Sequence, residues 1–332
     1  MINFNEQRFL EIGASVYNRR AEIEQIADKL TEKGFSNLFF SSVGGSQAMM
    51  DPFYDMVQEY SKIPVYSVLS STLVLTGHNQ LDKDSVVFMA SKSGDTKETV
   101  AACKYVKEIG CTVVSVCGKE DSVLESLSDY CFVYGDGRPQ ELVYYLLIGK
   151  VLFNKGYFPE YPKFADELKN LPQVLCDCRK AVDEYALEYC KKYCDAPYHI
   201  WIGSGNCWPV VYAFAMCVLE ESLWIRTKSV SSPEFFHGTL ELFEKDVPVT
   251  LCMTEGKTRP LDERVKEFIV NYSDEVSVFD TRKYPFAGIS DEFRGLLSPV
   301  VMNALLQRIS KNMEVIKNHD LNTRRYYRKV SY

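Results

Sequence analysis

Short apolar runs alternate with helical patterns along most of this 332-residue chain, and that alternation constrains the fold more than any other feature. Asn37–Val43 (NLFFSSV), Val65–Leu69, Ser85–Ala90 (SVVFMA), Thr112–Cys117 (TVVSVC) and Tyr130–Tyr134 have strand length. Helical patterns run from Gly44-Gly45 to about Tyr60, over Thr96–Ile109 and over Gln140–Asn154. The opening stretch also reads as helical, with Ile23, Ile26, Ala27 and Leu30 on one face and Gly34 as a stop. A strand that is apolar throughout must be covered on both faces. The pattern therefore predicts an α/β fold with a parallel sheet flanked by helices.

The pattern then returns. Tyr198–Ile202 (YHIWI) is an apolar run followed by Gly203-Ser204-Gly205-Asn206 and a helical stretch through Leu223. Pro248–Cys252 and Val276–Phe279 read as further strands, and Leu296–Ile309 as a helix. The first glycine after Tyr198–Ile202 lies 203 − 44 = 159 residues beyond the first after Asn37–Val43, which suggests two copies of one α/β unit. Gly156–Lys163 (GYFPEYPK), with two prolines, is the candidate linker. The expected division is 1–156 and 164–332. Phe164 to about Asp195 reads as one or two helices, with a break at Pro172.

Composition removes several classes of partner. With 38 Lys and Arg against 45 Asp and Glu, the net charge is −7, a poor basis for binding nucleic acid. No apolar run reaches the ~20 residues of a membrane span. Met1–Leu10 lacks a basic-then-apolar secretory pattern. The eleven cysteines are scattered and odd in number, which fits reduced cytoplasmic thiols. Cys176-x-Cys178 and the Cys190/Cys194 pair lack the further ligands of a zinc set, so no metal or other cofactor is expected.

The segment Ser91-Lys92-Ser93-Gly94-Asp95-Thr96 is richest in chemistry. It leaves one apolar strand and opens a helix, the place where open parallel sheets bind ligands. A helix N-terminus offers unpaired N–H groups and partial positive charge, so a phosphate fits without an arginine. Gly94 would allow close approach of the backbone, and Gly44-Gly45-Ser46 could lie alongside. The plainer alternative is that Ser93 or Asp95 caps the helix. The expected substrate-binding residues are Gly44, Ser46, Ser91, Lys92, Ser93 and Thr96. A second segment, Ala215–Leu223 (AMCVLEESL), is helical and apolar yet holds Glu220 and Glu221. Ser232–Gly238 (SPEFFHG) places His237 sixteen residues beyond Glu221. A carboxylate on an apolar helix is costly unless it is paired or used, and desolvation there would favour its neutral form. The other histidines read as surface (His78), core (His199) and the start of a basic tail (His319).

Ser91-x-Ser93-Gly94-x-Thr96, continued by Glu98-Thr99, resembles the phosphate loop of the sugar isomerase (SIS) family. The resemblance covers nearly the whole chain as two tandem SIS domains. It is close to the isomerase half of glucosamine-6-phosphate synthase and closer to the fructosamine 6-phosphate deglycases, whose Pro-Glu-Phe-Phe-His-Gly wording it shares. It implies that Glu221 is the base that moves a proton between sugar carbons and that His237 assists ring opening. In the family that histidine reaches the site from another subunit, so at least a homodimer is expected. Thr239 departs from the proline of the synthase. A tail lysine of the synthase contacts the sugar. Arg324, Arg325 and Lys329 are candidates for that place, with Lys329 taken as the binding residue. The implied reaction converts a fructosamine 6-phosphate and water to glucose 6-phosphate and a free amine. The alternatives are a phosphosugar isomerase and a non-catalytic sugar-phosphate sensor. Retention of both Glu221 and His237 speaks against the sensor.

Overall fold

The computed structural model describes residues 1–135, 137 and 139–331. The chain divides into two compact units, Gln7–Pro172 and Met1–Glu6 with Gln173–Tyr332. The stretch 156–163 read as a linker lies within the first of them, and residues 161–163 open the helix Tyr161–Glu167. The chain boundary between units falls near the start of the helix Leu171–Tyr193. Pro172 does not break that helix. It occupies the second position, where a missing N–H costs nothing.

The first unit holds β1 (Asn37–Phe40), β2 (Val65–Ser67), β3 (Ser85–Ser91), β4 (Thr112–Cys117) and β5 (Tyr130–Val133). All pair in parallel, in the order β2-β1-β3-β4-β5. β1, β3 and β4 are buried at every position, as their unbroken apolar runs require. One face packs Val87, Met89 and Val113 against Ala102, Cys103 and Val106 of the helix Lys97–Ile109. The helix Glu141–Asn154 is buried almost all round. A helix that is apolar on every side belongs in the middle of a unit.

The second unit holds β6 (His199–Gly203), β7 (Thr227–Ser231), β8 (Val249–Met253) and β9 (Val276–Asp280), all parallel, in the order β7-β6-β8-β9. In each sheet the first strand in sequence is flanked by the second and the third. The repeated strand–glycine–helix pattern therefore corresponds to a repeated topology. Ile200, Ile202, Val249 and Leu251 pack with Val265 and Ile269 of the helix Arg259–Tyr272. The helix predicted over Leu296–Ile309 extends from Asp291 to Ile316.

Candidate functional site

In the order β2-β1-β3-β4-β5, the chain winds away from β1 in both directions, so a crevice opens past the carboxyl ends of β1 and β3. Both candidate loops of the first unit leave from these two strands. Ser42, just past β1, donates its hydroxyl to the Ala90 carbonyl at 2.6 Å and ties the two strand exits together. Gly44, at φ +54°, starts the helix Gly44–Tyr60, and Ser46 sits partly buried in its first turn. Gln47 is buried, and sequence reasoning missed it. Its side chain accepts the Ser42 N–H at 2.5 Å and donates to Asp51 and Ser67 at 2.7 and 2.9 Å, bracing this exit. Its only sequence signal was its place two residues past the glycine pair.

The turn after β3 is tightly determined. Ser91 is buried, and its hydroxyl accepts the Gly94 N–H at 3.0 Å while lying 3.0 Å from the Thr96 hydroxyl. Ser91 thus shapes the turn from within. Lys92 is exposed, and Ser93 and Thr96 are partly buried. Neither Ser93 nor Asp95 is the cap of the helix Lys97–Ile109. The cap is Thr96, whose side chain makes no capping bond. The sequence expected Gly94 to make room for an anion. The structure gives a further reason for the residue. Gly94 has φ +67°, and a Cβ there would stand 2.2 Å from the Cβ of Ser122. Ser122 caps the short helix Val123–Leu127, and the Leu124 N–H returns to the Gly94 carbonyl at 2.9 Å.

The corresponding crevice of the second unit, past β6 and β8, is filled by its own side chains. Ser204 donates to Thr258 Oγ1 at 2.9 Å, Asn206 donates to the Gly295 carbonyl at 3.1 Å, and a Cβ on Gly205 would meet Thr258 at 2.3 Å.

The second unit carries its chemistry elsewhere. The helical stretch after β6 is α-helical over Trp208–Ala213, then a π-helix over Phe214–Glu220, then α-helical again over Glu221–Leu223. Such wide turns gather at functional sites. Trp224 ends the run at φ +58°, an uncommon backbone for a bulky residue. Glu221 lines a cavity of about 870 Å³ with Glu220, Trp224, Arg226, Arg324 and Arg325 among its neighbours. The apolar setting expected for Glu221 is not what surrounds it. Its side chain is 34% exposed, and Oε1 accepts from Arg324 Nε at 2.9 Å and lies 2.8 Å from Nη2. Glu220 is exposed and accepts the Thr227 hydroxyl. Arg324 is therefore the tail residue at this carboxylate. Lys329 does not line the cavity; its backbone N–H bonds the Tyr326 carbonyl.

His237 is exposed just past the helix Ser232–Phe235 and is not among the residues lining the Glu221 cavity. Its segment is anchored at Ser232, which donates to the buried Asp262 at 2.5 Å. Burial pushes Asp262 up to about 6, against the opposing hydrogen bond from Ser232. His199 is buried beside Tyr189, and burial lowers it to about 4, in keeping with a core role. His78 is not simply a surface residue: it packs edge-on against Phe39 and tilts against Tyr66. No group of three or more metal-ligating side chains occurs among the described residues. No helix among them is long and apolar enough to cross a membrane.

Residues 30–141 match the family described as the SIS domain, and nearly the whole chain is similar in sequence and fold to deglycase and phosphosugar isomerase enzymes. Over 319 residues the chain is 29% identical to fructosamine deglycase FrlB of Bacillus subtilis, covering 94% of this chain and 97% of the relative. It is 22% identical to fructoselysine 6-phosphate deglycase of Escherichia coli, over 92% of this chain and 89% of that protein. A Bacillus subtilis protein crystallised as a candidate phosphosugar isomerase superposes with a TM-score of 0.90 at 26% identity, covering 96% of this chain and all of the other.

Proposed function

We propose that this chain is a fructosamine 6-phosphate deglycase. The observation that carries the reading is the nearly full-length likeness to a protein named fructosamine deglycase. The local geometry agrees with it. The turn Ser91–Thr96 leaves Thr96 unspent as a cap and stands beside the N-termini of two helices, a setting that suits a phosphate. In this proposal Ser93, Thr96, Ser46 and the backbone at Gly44 hold the phosphate, Ser91 keeps the turn in shape, and Lys92 adds charge. Glu221, in its cavity, is the base.

The substrate is an Amadori compound, with the amine on C1 and a carbonyl on C2. Glu221 takes the C1 proton, and the electron pair forms a C1–C2 double bond as the C2 carbonyl oxygen takes a proton from water and becomes a hydroxyl. Return of the proton to C2, with loss of the amine N–H proton to water, turns this enaminol into a C1 imine. Water adds to C1, the C–N bond breaks, and the products are glucose 6-phosphate and the free amine. His237 carries the proton of ring opening, a task that suits an imidazole. Because His237 is exposed and outside the Glu221 cavity, we assign it to the site of a second subunit in a homodimer. A reducing, cytoplasmic setting belongs to the same proposal, since all eleven cysteines are free.

The test is Glu221→Gln, which keeps the shape and removes the base. It should lower glucose 6-phosphate release from fructosamine 6-phosphates by roughly 10²–10⁴-fold, the usual worth of a placed base, with substrate binding little changed. Exchange of the C1 proton in deuterated water, followed by NMR, should fall with it. Parent-like exchange in Glu221→Gln and a dead Glu220→Gln would reverse the two assignments. Activity in both would exclude this helix from proton transfer.

A further inference from the structure

The charges lining the Glu221 cavity do not balance. Its carboxylates are Asp195, Glu220 and Glu221, and its cations are Arg226, Lys317, Arg324 and Arg325. Two pairs cancel internally: Glu221 with Arg324, and Asp195 with Lys317 at 3.5 Å. Glu220 accepts the Thr227 hydroxyl. Neither Arg226 nor Arg325 has a carboxylate partner among the described residues. Arg325 is nevertheless held in place. Its guanidinium lies 4.0 Å from the centroid of the Trp224 ring, whose other contact is an edge-on His319 at 4.4 Å. That ring is presented by the left-handed backbone that ends the π-helix. Strain of this kind, in a non-glycine residue beside a cavity, marks a place where structure is spent on function. A guanidinium held over an aromatic ring by its cation–π contact still has N–H groups to offer a carboxylate.

We propose that Arg325 is a specificity-determining residue that receives a carboxylate on the amine portion of the substrate. The proposal rests on the deglycase reading. A base working at C1 stands next to the nitrogen that C1 bears, so the groups around Glu221 face the amine end of the molecule. Arg324 touches Glu221 itself, and Arg325 is the next residue along the chain. A carboxylate on the carbon attached to that nitrogen lies only three bonds from C1. The preferred substrates are therefore conjugates made through the α-amino group of an amino acid.

The test compares the fructosamine 6-phosphates of glycine and of methylamine, which differ only by that carboxylate. The parent should have the lower KM for the glycine conjugate, by roughly ten- to hundred-fold, as expected for one charged hydrogen-bonded pair. Arg325→Ala should raise the KM of the glycine conjugate towards that of the methylamine conjugate and leave the methylamine conjugate unchanged. Arg325→Lys, which keeps the charge and loses the fork, should fall between. Arg325 is exposed, and the thermal midpoint should not move. Equal KM values in the parent, or an equal loss on both substrates in Arg325→Ala, overturn the inference and leave the deglycase reading standing. If the parent releases glucose 6-phosphate from neither conjugate, that reading falls and this inference falls with it.

Discussion

Gly94→Ala should damage the candidate phosphate turn by an amount that the structure apportions. An L-residue in the left-handed region costs roughly 1–2 kcal/mol, and Gly94 sits there at φ +67°. The new methyl would stand 2.2 Å from Ser122 Cβ and 2.3 Å from Ser122 Oγ, far inside van der Waals contact. Forcing one carbon into a filled space adds about 1–3 kcal/mol, so the total is roughly 2–5 kcal/mol. Ser122→Gly removes both offending atoms and, at a helix N-cap, costs only about a few tenths of a kcal/mol. In the double variant only the backbone penalty remains. Urea unfolding of the parent, both single variants and the double variant should give a coupling of about 1–3 kcal/mol in favour of the double. Calorimetric titration with glucose 6-phosphate should follow the same order, with binding weakened in Gly94→Ala and partly restored in the double. If Gly94→Ala costs the same whether residue 122 is Ser or Gly, the packing explanation of this glycine is wrong and only its φ matters.

Replacing Ser91, Ser93 and Thr96 together by Ala should weaken glucose 6-phosphate binding, with the Ser93 and Thr96 hydroxyls each costing about 1.5–3 kcal/mol as partners of a charged group and the loss of Ser91 loosening the turn. A triple variant that binds like the parent removes the phosphate from this turn. Asp262 holds its proton up to about pH 6 in the folded chain against an ordinary value of 3.8, so the folded state binds more protons than the unfolded one between those values. Its contribution is full below the lower value and is lost as pH rises to the upper, so the parent should lose about 2–3 kcal/mol relative to Asp262→Asn between pH 4 and pH 7. Parallel stability curves for the two proteins would contradict the buried, raised carboxylate. Sedimentation of the active protein should show a homodimer or larger assembly, and a fully active monomer would remove the proposed exchange of His237 between subunits.

Most of the architecture was legible in the sequence because buried parallel strands carry their own signature. β4 spans Thr112–Cys117 as read, and β1, β3, β6 and β8 differ only at their ends. β7 was missed for the opposite reason. Thr227–Ser231 (TKSVS) is an edge strand with a single buried residue, Val230, so it shows no apolar run. The helix Arg259–Tyr272 was passed over because only a narrow stripe of it is buried: Val265 and Ile269, with Arg259 and Asp262. The π-helix has no local signal at all. Its widened turns come from packing Phe214, Ala215 and Leu219 inward while Trp224 closes the run. The arginine on Glu221 was one of several basic tail residues in the sequence. Only the folded path of the tail distinguishes Arg324 from Lys329, as hydrogen bonds from Arg324 Nη1 to the Leu321 and Thr323 carbonyls hold its head in place.

A widened helical turn is one residue longer than the α-helical turn it replaces, and each residue of an α-helix advances the phase by about 100°. The run from Trp208 to Leu223 therefore works as a spacer whose length sets which of two adjacent acids meets the tail. Deleting a single residue within Phe214–Glu220 would let the segment relax to an ordinary helix with Glu221 still in its place, whereas adding one would bring Glu220 to that place. The stretch should therefore tolerate the loss of one residue far better than the gain of one, because its widened turns hold a residue that an ordinary helix would not need.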